Sequence, residues 1–329
     1  MRKVGLILVV LVWVSCARAA PLGFGVLGDS LGDEYQFAPA PRNGAQNYVE
    51  LLATQRGLNF GAFSTVSRPE PRNQGYEFNF ANAGDNAASG VTGPDLFALG
   101  EVQGLTPYVA SGQVGEVFLT IGGNDFRAIA TGGNSATILP ALLSSTAAAV
   151  QALQSANPNV KVVIANVVDI TKVPGAQFTL IQNPALAPLF AALDTATDQY
   201  NAQLKAAFAA NPNVAIADIN AVLDKLLADK SVGGQPIDTL NPGVGPGNLF
   251  VDLLHPGTIG QGMIANAFVD ASNARFGTSL AGFSDSELLA LAAAPPPSVP
   301  LPAAAWAGML CAPLAVWARR RCATSRIPN

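Results

Sequence analysis

Between residues 20 and 290, short apolar runs alternate with longer stretches of helical period. Gly23–Leu27, Glu77–Asn82, Glu116–Ile121, Val160–Val167 and Val214–Asp218 read as strands. Gly44–Gln55, Thr92–Ser111, Ile138–Ala156, Pro184–Asn211, Ile219–Lys230 and Thr258–Phe276 read as helices. Val162 to Val168 is apolar apart from Asn166, which suits a strand buried on both faces of a parallel sheet. Asn157-Pro158 and Asn211-Pro212 stop the helix before each of the last two strands. Strand and helix alternating in this way predict an α/β protein. The expected architecture is a three-layer α/β/α sandwich with a parallel sheet of about five strands. No internal repeat and no linker divides residues 20–291, so this stretch is expected to be one domain.

The two ends follow a different pattern. Arg2 and Lys3, the apolar run Val4–Val14 and the small-x-small site Ala17-Arg18-Ala19 predict a signal peptide over residues 1–19. An uncleaved anchor helix or a buried first strand is the alternative. Cleavage before Cys16 with lipidation is a weaker one, because Trp13 suits a lipobox poorly. At the other end, residues 292–298 read as a Pro-rich linker that does not pack as helix or sheet. Residues 299–329 read as a transmembrane or sorting segment. The 18 uncharged residues Leu301–Ala318 would span about 27 Å as a helix, close to the thickness of a bilayer core. Trp306 and Trp317 suit its interfaces, and Arg319-Arg320-Arg321 suits a cytoplasmic end.

Composition sharpens this picture. Charged residues are only 12% of the chain, and hydrophobic residues 50%. That excludes a disordered protein, which needs the opposite balance. Setting aside the seven bases of the two ends leaves 11 bases against 22 acids, a net charge of −11 for the central stretch. A domain this acidic is repelled by phosphate backbones, so nucleic acid is excluded as a partner. The three cysteines, Cys16, Cys311 and Cys322, all lie in the terminal segments. The central domain therefore has no disulfide, thiol nucleophile or thiolate metal site.

In parallel sheets the chemistry gathers in loops beyond the carboxyl ends of the strands. Three expected strands run into unusual loops: Gly28-Asp29-Ser30-Leu31, Ala83-Gly84-Asp85-Asn86 and Gly122-Gly123-Asn124-Asp125. Asp252-Leu253-Leu254-His255 comes late in the chain. His255 is the only histidine. An imidazole accepts a hydroxyl proton near neutral pH, and an Asp three residues earlier can reach its other nitrogen. Ser30, at a tight turn after a strand, is the candidate nucleophile; alone it would read as a helix cap. Gly28-Asp29-Ser30-Leu31-Gly32 also fits a G-x-S-x-G elbow. That reading fails because several strands precede the elbow in α/β-hydrolases, and here the serine follows the first. Asp29, Asp33 and Asp125 are expected to hold loops and helix starts. Gly243-Val-Gly-Pro-Gly247 has no Lys and links no strand to a helix, so it reads as a surface loop.

The four loops, in this order, resemble the blocks of the SGNH/GDSL hydrolase family, and the resemblance covers most of residues 23–275. It implies Ser30 as nucleophile, His255 as base and Asp252 as the acid that orients it. It also implies an oxyanion hole made of the Ser30 and Gly84 backbone N–H groups and the Asn124 amide, with no metal or cofactor. Those roles suit the residue types. Preorganised donors stabilise a tetrahedral oxyanion, a glycine allows close backbone approach, and an Asn amide donates without a net charge. Val299-Pro300-Leu301-Pro302-Ala303, followed by the apolar stretch and the Arg cluster, resembles the VPLPA/PEP-CTERM sorting signals. That resemblance implies an exosortase-type sorting enzyme as a partner, in the envelope of a Gram-negative bacterium.

The expectation is an exported serine hydrolase that cleaves carboxylic esters of lipid or O-acetylated carbohydrate through an acyl-enzyme. It would be held by its C-terminal helix in the membrane, or released to the cell surface or medium after processing. The alternative is a surface-anchored binding or matrix protein on a hydrolase-like scaffold. Intact Ser30, Asp252 and His255 argue against it, because a binding module has no need of that set.

Overall fold

The computed structural model describes residues 22–65, 74–87, 95–98 and 100–295. The expected signal peptide, residues 296–298 of the expected linker and the sorting segment lie outside the described residues. In chain order the elements begin with β1 (Gly23–Gly28), α1 (Tyr48–Arg56), β2 (Phe63–Ser64), β3 (Gly75–Tyr76), α2 (Glu101–Ala110) and β4 (Val114–Thr120). They continue with α3 (Gly123–Ala130), α4 (Ser135–Ala156), β5 (Lys161–Ala165), α5 (Pro174–Gln182), α6 (Ala187–Phe208) and β6 (Val214–Ala217). The last are α7 (Ile219–Asp229), β7 (Ser231–Val232), β8 (Gln235–Pro236), α8 (Thr258–Phe276) and α9 (Asp285–Ala293).

The central sheet has four parallel strands in the order β1-β4-β5-β6. Leu27 pairs with Leu119, Leu119 with Ile164, and Ile164 with Ile216, so one row of large apolar side chains crosses the sheet. Successive residues of a strand face opposite sides. Leu27, Val117, Leu119, Val162 and Ile164 therefore pack with Leu105 of α2, Leu142 and Leu153 of α4 and Leu204 of α6. Phe24, Val26, Phe118, Val163 and Ala165 pack with Leu51 and Leu52 of α1 and Ile264 and Phe268 of α8. Burial on both faces explains why the strands read as continuous apolar runs. This is the expected three-layer sandwich.

The expected second strand, Glu77–Asn82, is not a strand of this sheet. It runs along the free edge of β1, with hydrogen bonds from Val26 N–H to Phe78 O (2.9 Å), Phe80 N–H to Val26 O (2.8 Å) and Asn82 N–H to Gly28 O (2.7 Å). Only Val26 and Asn79 form a bridge. The next donors on either side along β1 are engaged elsewhere, Phe24 N–H by Asn59 O and Gly28 N–H by the Glu101 carboxylate, so the pairing does not extend. The sheet thus has four strands and one edge segment rather than five strands.

Several helices differ from expectation: α1 begins at Tyr48 rather than Gly44, α4 at Ser135 rather than Ile138, and α3, α5 and α9 were not expected as helices. α2 begins at Glu101 rather than near Thr92, after Gly100 in the left-handed region. The helix expected to begin at Pro184 opens with a 3₁₀ turn, Pro184–Leu186, before α6. α9 continues through Ala293, so the first two residues of the expected linker are helical. It starts at a capping box, in which the Ser284 side chain accepts from Glu287 N–H and the Glu287 side chain from Ser284 N–H. It docks on α8 where Gly262 faces Leu288, leaving no room for a Cβ. Leu288 and Ala292 are buried.

Candidate active site

The chain leaves β1 at Gly28, which lies in the left-handed region with φ 126. A Cβ there would collide with Thr120 O on β4, so only glycine makes this exit. Gly28 N–H donates to the buried Glu101 carboxylate at 2.9 Å. Asp29 closes the turn by accepting from Leu31 N–H at 3.0 Å through its side chain and from Gly32 N–H at 3.0 Å through its backbone. Ser30 stands at the apex, half-buried.

The Asp252–His255 loop folds back on itself. Asp252 Oδ1 accepts from Leu254 N–H (2.8 Å) and His255 N–H (2.7 Å). His255 Nδ1 lies 2.8 Å from Asp252 Oδ2. Burial would raise the Asp252 pKa, but the hydrogen bonds from the His255 ring and from the two backbone N–H groups, with the His255 charge, outweigh it and hold the carboxyl down at about 2. An ionised carboxylate at Nδ1 keeps the ring proton there and leaves Nε2 as an acceptor. Nε2 is 2.9 Å from Ser30 Oγ, across 225 positions of sequence. The structure therefore brings Ser30, His255 and Asp252 into one hydrogen-bonded chain.

The other two expected site residues lie on neighbouring loops. Asn124 sits in the first turn of α3, where Gly122, with φ 114, turns the chain out of β4 into the helix. This helix was expected to be only a loop. Asn124 Nδ2 donates to Asp85 O at 2.8 Å, tying the β4 loop to the loop of Gly84. Asn124 lines the same cavity as Ser30 and His255. Gly84 is exposed, with φ 97, and a Cβ there would meet nothing within 4 Å. Its left-handed backbone conformation favours glycine. Among the described residues, neither the Ser30 nor the Gly84 backbone N–H has a hydrogen-bond acceptor.

The three expected loop-holding acids do hold loops. Asp29 binds Leu31 N–H, Asp33 binds Ala83 N–H and Asp125 binds Ala87 N–H. Asp29 is fully buried, and burial first, then Asp125 and Asp85, raise its pKa from 3.8 to about 7 against the pull of the Leu31 N–H.

Two residues at the site were not anticipated. Arg42, in a 3₁₀ turn at Arg42–Gly44, places Nη1 3.0 Å from His255 Nε2. Its guanidinium lies 5.5 Å from the centre of the Tyr35 ring, and that buried ring meets His255 edge-on at 6.3 Å. No sequence motif marks Arg42, which is 213 positions from His255. Glu101, expected only as part of a helix, supports the nucleophile turn through Gly28.

These residues give a hydroxyl beside a base, a carboxylate that orients the base, and the Asn124 amide lining the same cavity, whose lining does not include Gly84. Residues 24–268 match the family model for GDSL-like Lipase/Acylhydrolase. None of the curated proteins matches. Among solved structures, a family 3 carbohydrate esterase of Clostridium thermocellum is 16% identical, with 77% of this chain and 96% of that one covered and a TM-score of 0.39. A family 3 carbohydrate esterase of Talaromyces cellulolyticus is also 16% identical, with 78% and 100% covered and a TM-score of 0.39. A lipase from a goat rumen metagenome is 14% identical, with 76% and 97% covered and a TM-score of 0.47. The family match spans well over half of the chain, and the protein is an ester-hydrolysing member of the GDSL-like lipase/acylhydrolase family.

Proposed function

We propose that the protein is an exported serine hydrolase that cleaves carboxylic esters through an acyl-enzyme on Ser30. The observation that carries this reading is the unbroken path from Ser30 Oγ to His255 Nε2 (2.9 Å) and from His255 Nδ1 to Asp252 Oδ2 (2.8 Å).

In the first half-reaction His255 Nε2 takes the Ser30 proton as Oγ attacks the ester carbonyl carbon. The carbonyl electrons move onto oxygen, and the Ser30 and Gly84 N–H groups and the Asn124 amide donate to that oxyanion. The tetrahedral intermediate collapses, His255 gives its proton to the leaving alkoxide, and the alcohol departs. In the second half-reaction water gives a proton to His255, attacks the acyl carbon, and releases the acid with Oγ reprotonated. Asp252, held ionised, stabilises the imidazolium in both halves.

The same reading places the catalytic domain outside the inner membrane. Residues 1–19 would direct export. Residues 299–329 would anchor the chain by a transmembrane helix and serve as the substrate of an exosortase-type enzyme in a Gram-negative envelope. The basic and apolar patterns of the two ends support this.

The test uses purified protein, p-nitrophenyl esters and a fluorophosphonate that labels activated serines. Hydrolysis should be measurable, the label should map to the Ser30 peptide, and Ser30→Ala should lose both. Full turnover by folded Ser30→Ala would overturn the mechanism.

A further inference from the structure

The cavity that contains Ser30, Asn124 and His255 is about 80 Å³, several times the 10–15 Å³ that one water needs. Its polar lining residues come from the catalytic loops and α3. Ser30 and Asp29 come from the nucleophile turn, Asn124 and the exposed Arg127 from one side of α3, and His255 from its loop. The remaining walls are hydrocarbon. α7 contributes Ile219, Val222, Leu223 and Leu226, spaced so that all four share one helix face. Val173, ahead of α5, and Leu254, beside His255, add to this surface.

Such walls discriminate between substrates. A sugar hydroxyl placed against them would lose its water and gain no partner. A methylene chain would lose only water. An acetyl group would leave most of the lining uncovered. The α7 face runs about 10 Å from Ile219 to Leu226 at 1.5 Å per residue, the reach of an extended acyl chain of roughly six to eight carbons. The hydrocarbon is continuous with the nucleophile, because Leu254 adjoins His255 and Ile219 lines the same cavity as Ser30.

We infer that this cavity is the acyl pocket, and that the substrate is an ester of a medium-length fatty acid rather than an acetyl ester. The inference rests on Ser30 being the nucleophile.

A series of p-nitrophenyl acetate, butyrate, hexanoate and octanoate tests it through kcat/KM. Each methylene fully buried is worth roughly fourfold. Partial burial predicts that hexanoate exceeds acetate by at least about tenfold in the wild type. Val222→Trp should fill the α7 side and collapse the hexanoate-to-acetate ratio by about tenfold, and Val222→Ala should move the preferred chain length upward. A thermal melt verifies that each variant is folded. Should Val222→Trp not fold, Val222→Met supplies the smaller filling change, with the same direction in the ratio. Acetate equal to or better than hexanoate in the wild type, or a ratio unmoved in every folded variant, would overturn the pocket while leaving the hydrolase intact. Absence of turnover on every ester, acetate included, would overturn the hydrolase reading itself.

Discussion

Arg42 Nη1 and Ser30 Oγ approach the same nitrogen, Nε2 of His255, at 3.0 Å and 2.9 Å. Nε2 carries one lone pair, directed in the ring plane. Arg42, always cationic, competes with the serine proton for it. Once His255 takes that proton, guanidinium and imidazolium lie side by side, and Coulomb repulsion opposes the transfer. Arg42→Met should therefore raise kcat on neutral esters. One competing hydrogen bond is worth about 1 kcal/mol net, which corresponds to about fivefold in rate. Steady-state kinetics with p-nitrophenyl hexanoate checks this. A large loss of kcat would assign Arg42 a role in binding the transition state instead.

The triad should behave as a unit. Ser30→Ala and His255→Ala are each expected to lower kcat by several orders of magnitude, and the double variant by about as much as either one. Multiplicative losses would mean that the two side chains act in separate steps.

Asn124 reaches the site by a path that also holds a loop. Its amide has two N–H groups, and one is engaged by Asp85 O. The other is free for an oxyanion. Asn124→Ala should cost roughly 10²–10³ in kcat, as for one lost oxyanion donor. Asn124→Asp should do no better, because it puts a charge of the wrong sign there. A change confined to KM would make Asn124 a ground-state contact.

The parts of this site that were legible in the sequence are the ones encoded locally. An apolar strand followed by Gly-Asp-Ser announces a serine at a tight turn. Asp252 and His255 are three residues apart, close enough for one loop to fix their contact. α8 follows its apolar period from Thr258 to Phe276 as expected. What was hidden depends on partners distant in the chain or on competition between local signals. Glu77–Asn82 alternates like a strand, but the β1 donors that would extend its pairing go to Asn59 O and to the Glu101 carboxylate, both distant in the chain. Gly-Gly-Asn-Asp reads as a turn, yet Gly122 uses its left-handed conformation to start α3. α9 had its capping box in Ser284 and Glu287, masked by the Ala- and Pro-rich composition that follows. Arg42 is beyond reach of any pattern, because its turn meets His255 only in the folded chain.

Asp29 links the site to stability. Burial raises its pKa in the folded state to about 7, from an ordinary 3.8. The folded chain thus keeps a proton that the unfolded chain has lost, and stability falls as pH rises from about 4 to about 7. Above that range the penalty is constant. The slope for one proton is at most about 1.4 kcal/mol per pH unit. Asp29→Asn keeps an acceptor for Leu31 N–H but cannot ionise. It should flatten the fall in unfolding free energy between pH 5 and pH 7, read from urea titrations. An unchanged slope would show that Asp29 is ionised in the folded protein.

The last expectation concerns where the catalytic unit ends. α9 buries Leu288 and Ala292 against α8 and its neighbours. Truncation before this helix uncovers that apolar surface, whereas truncation after it removes no described packing. A chain ending at Ser284 should lose several kcal/mol of stability, about 2–5 for each large buried side chain removed. A chain ending at Ala294 should keep the melting temperature and kcat/KM of the catalytic domain. In a native host, the Ala294 version should fractionate as soluble protein and the full-length chain with membrane, as the proposed span Leu301–Ala318 requires. Unfolding of the Ala294 version would make the apolar segment part of the core, because only a packed helix would be missed by the rest of the domain.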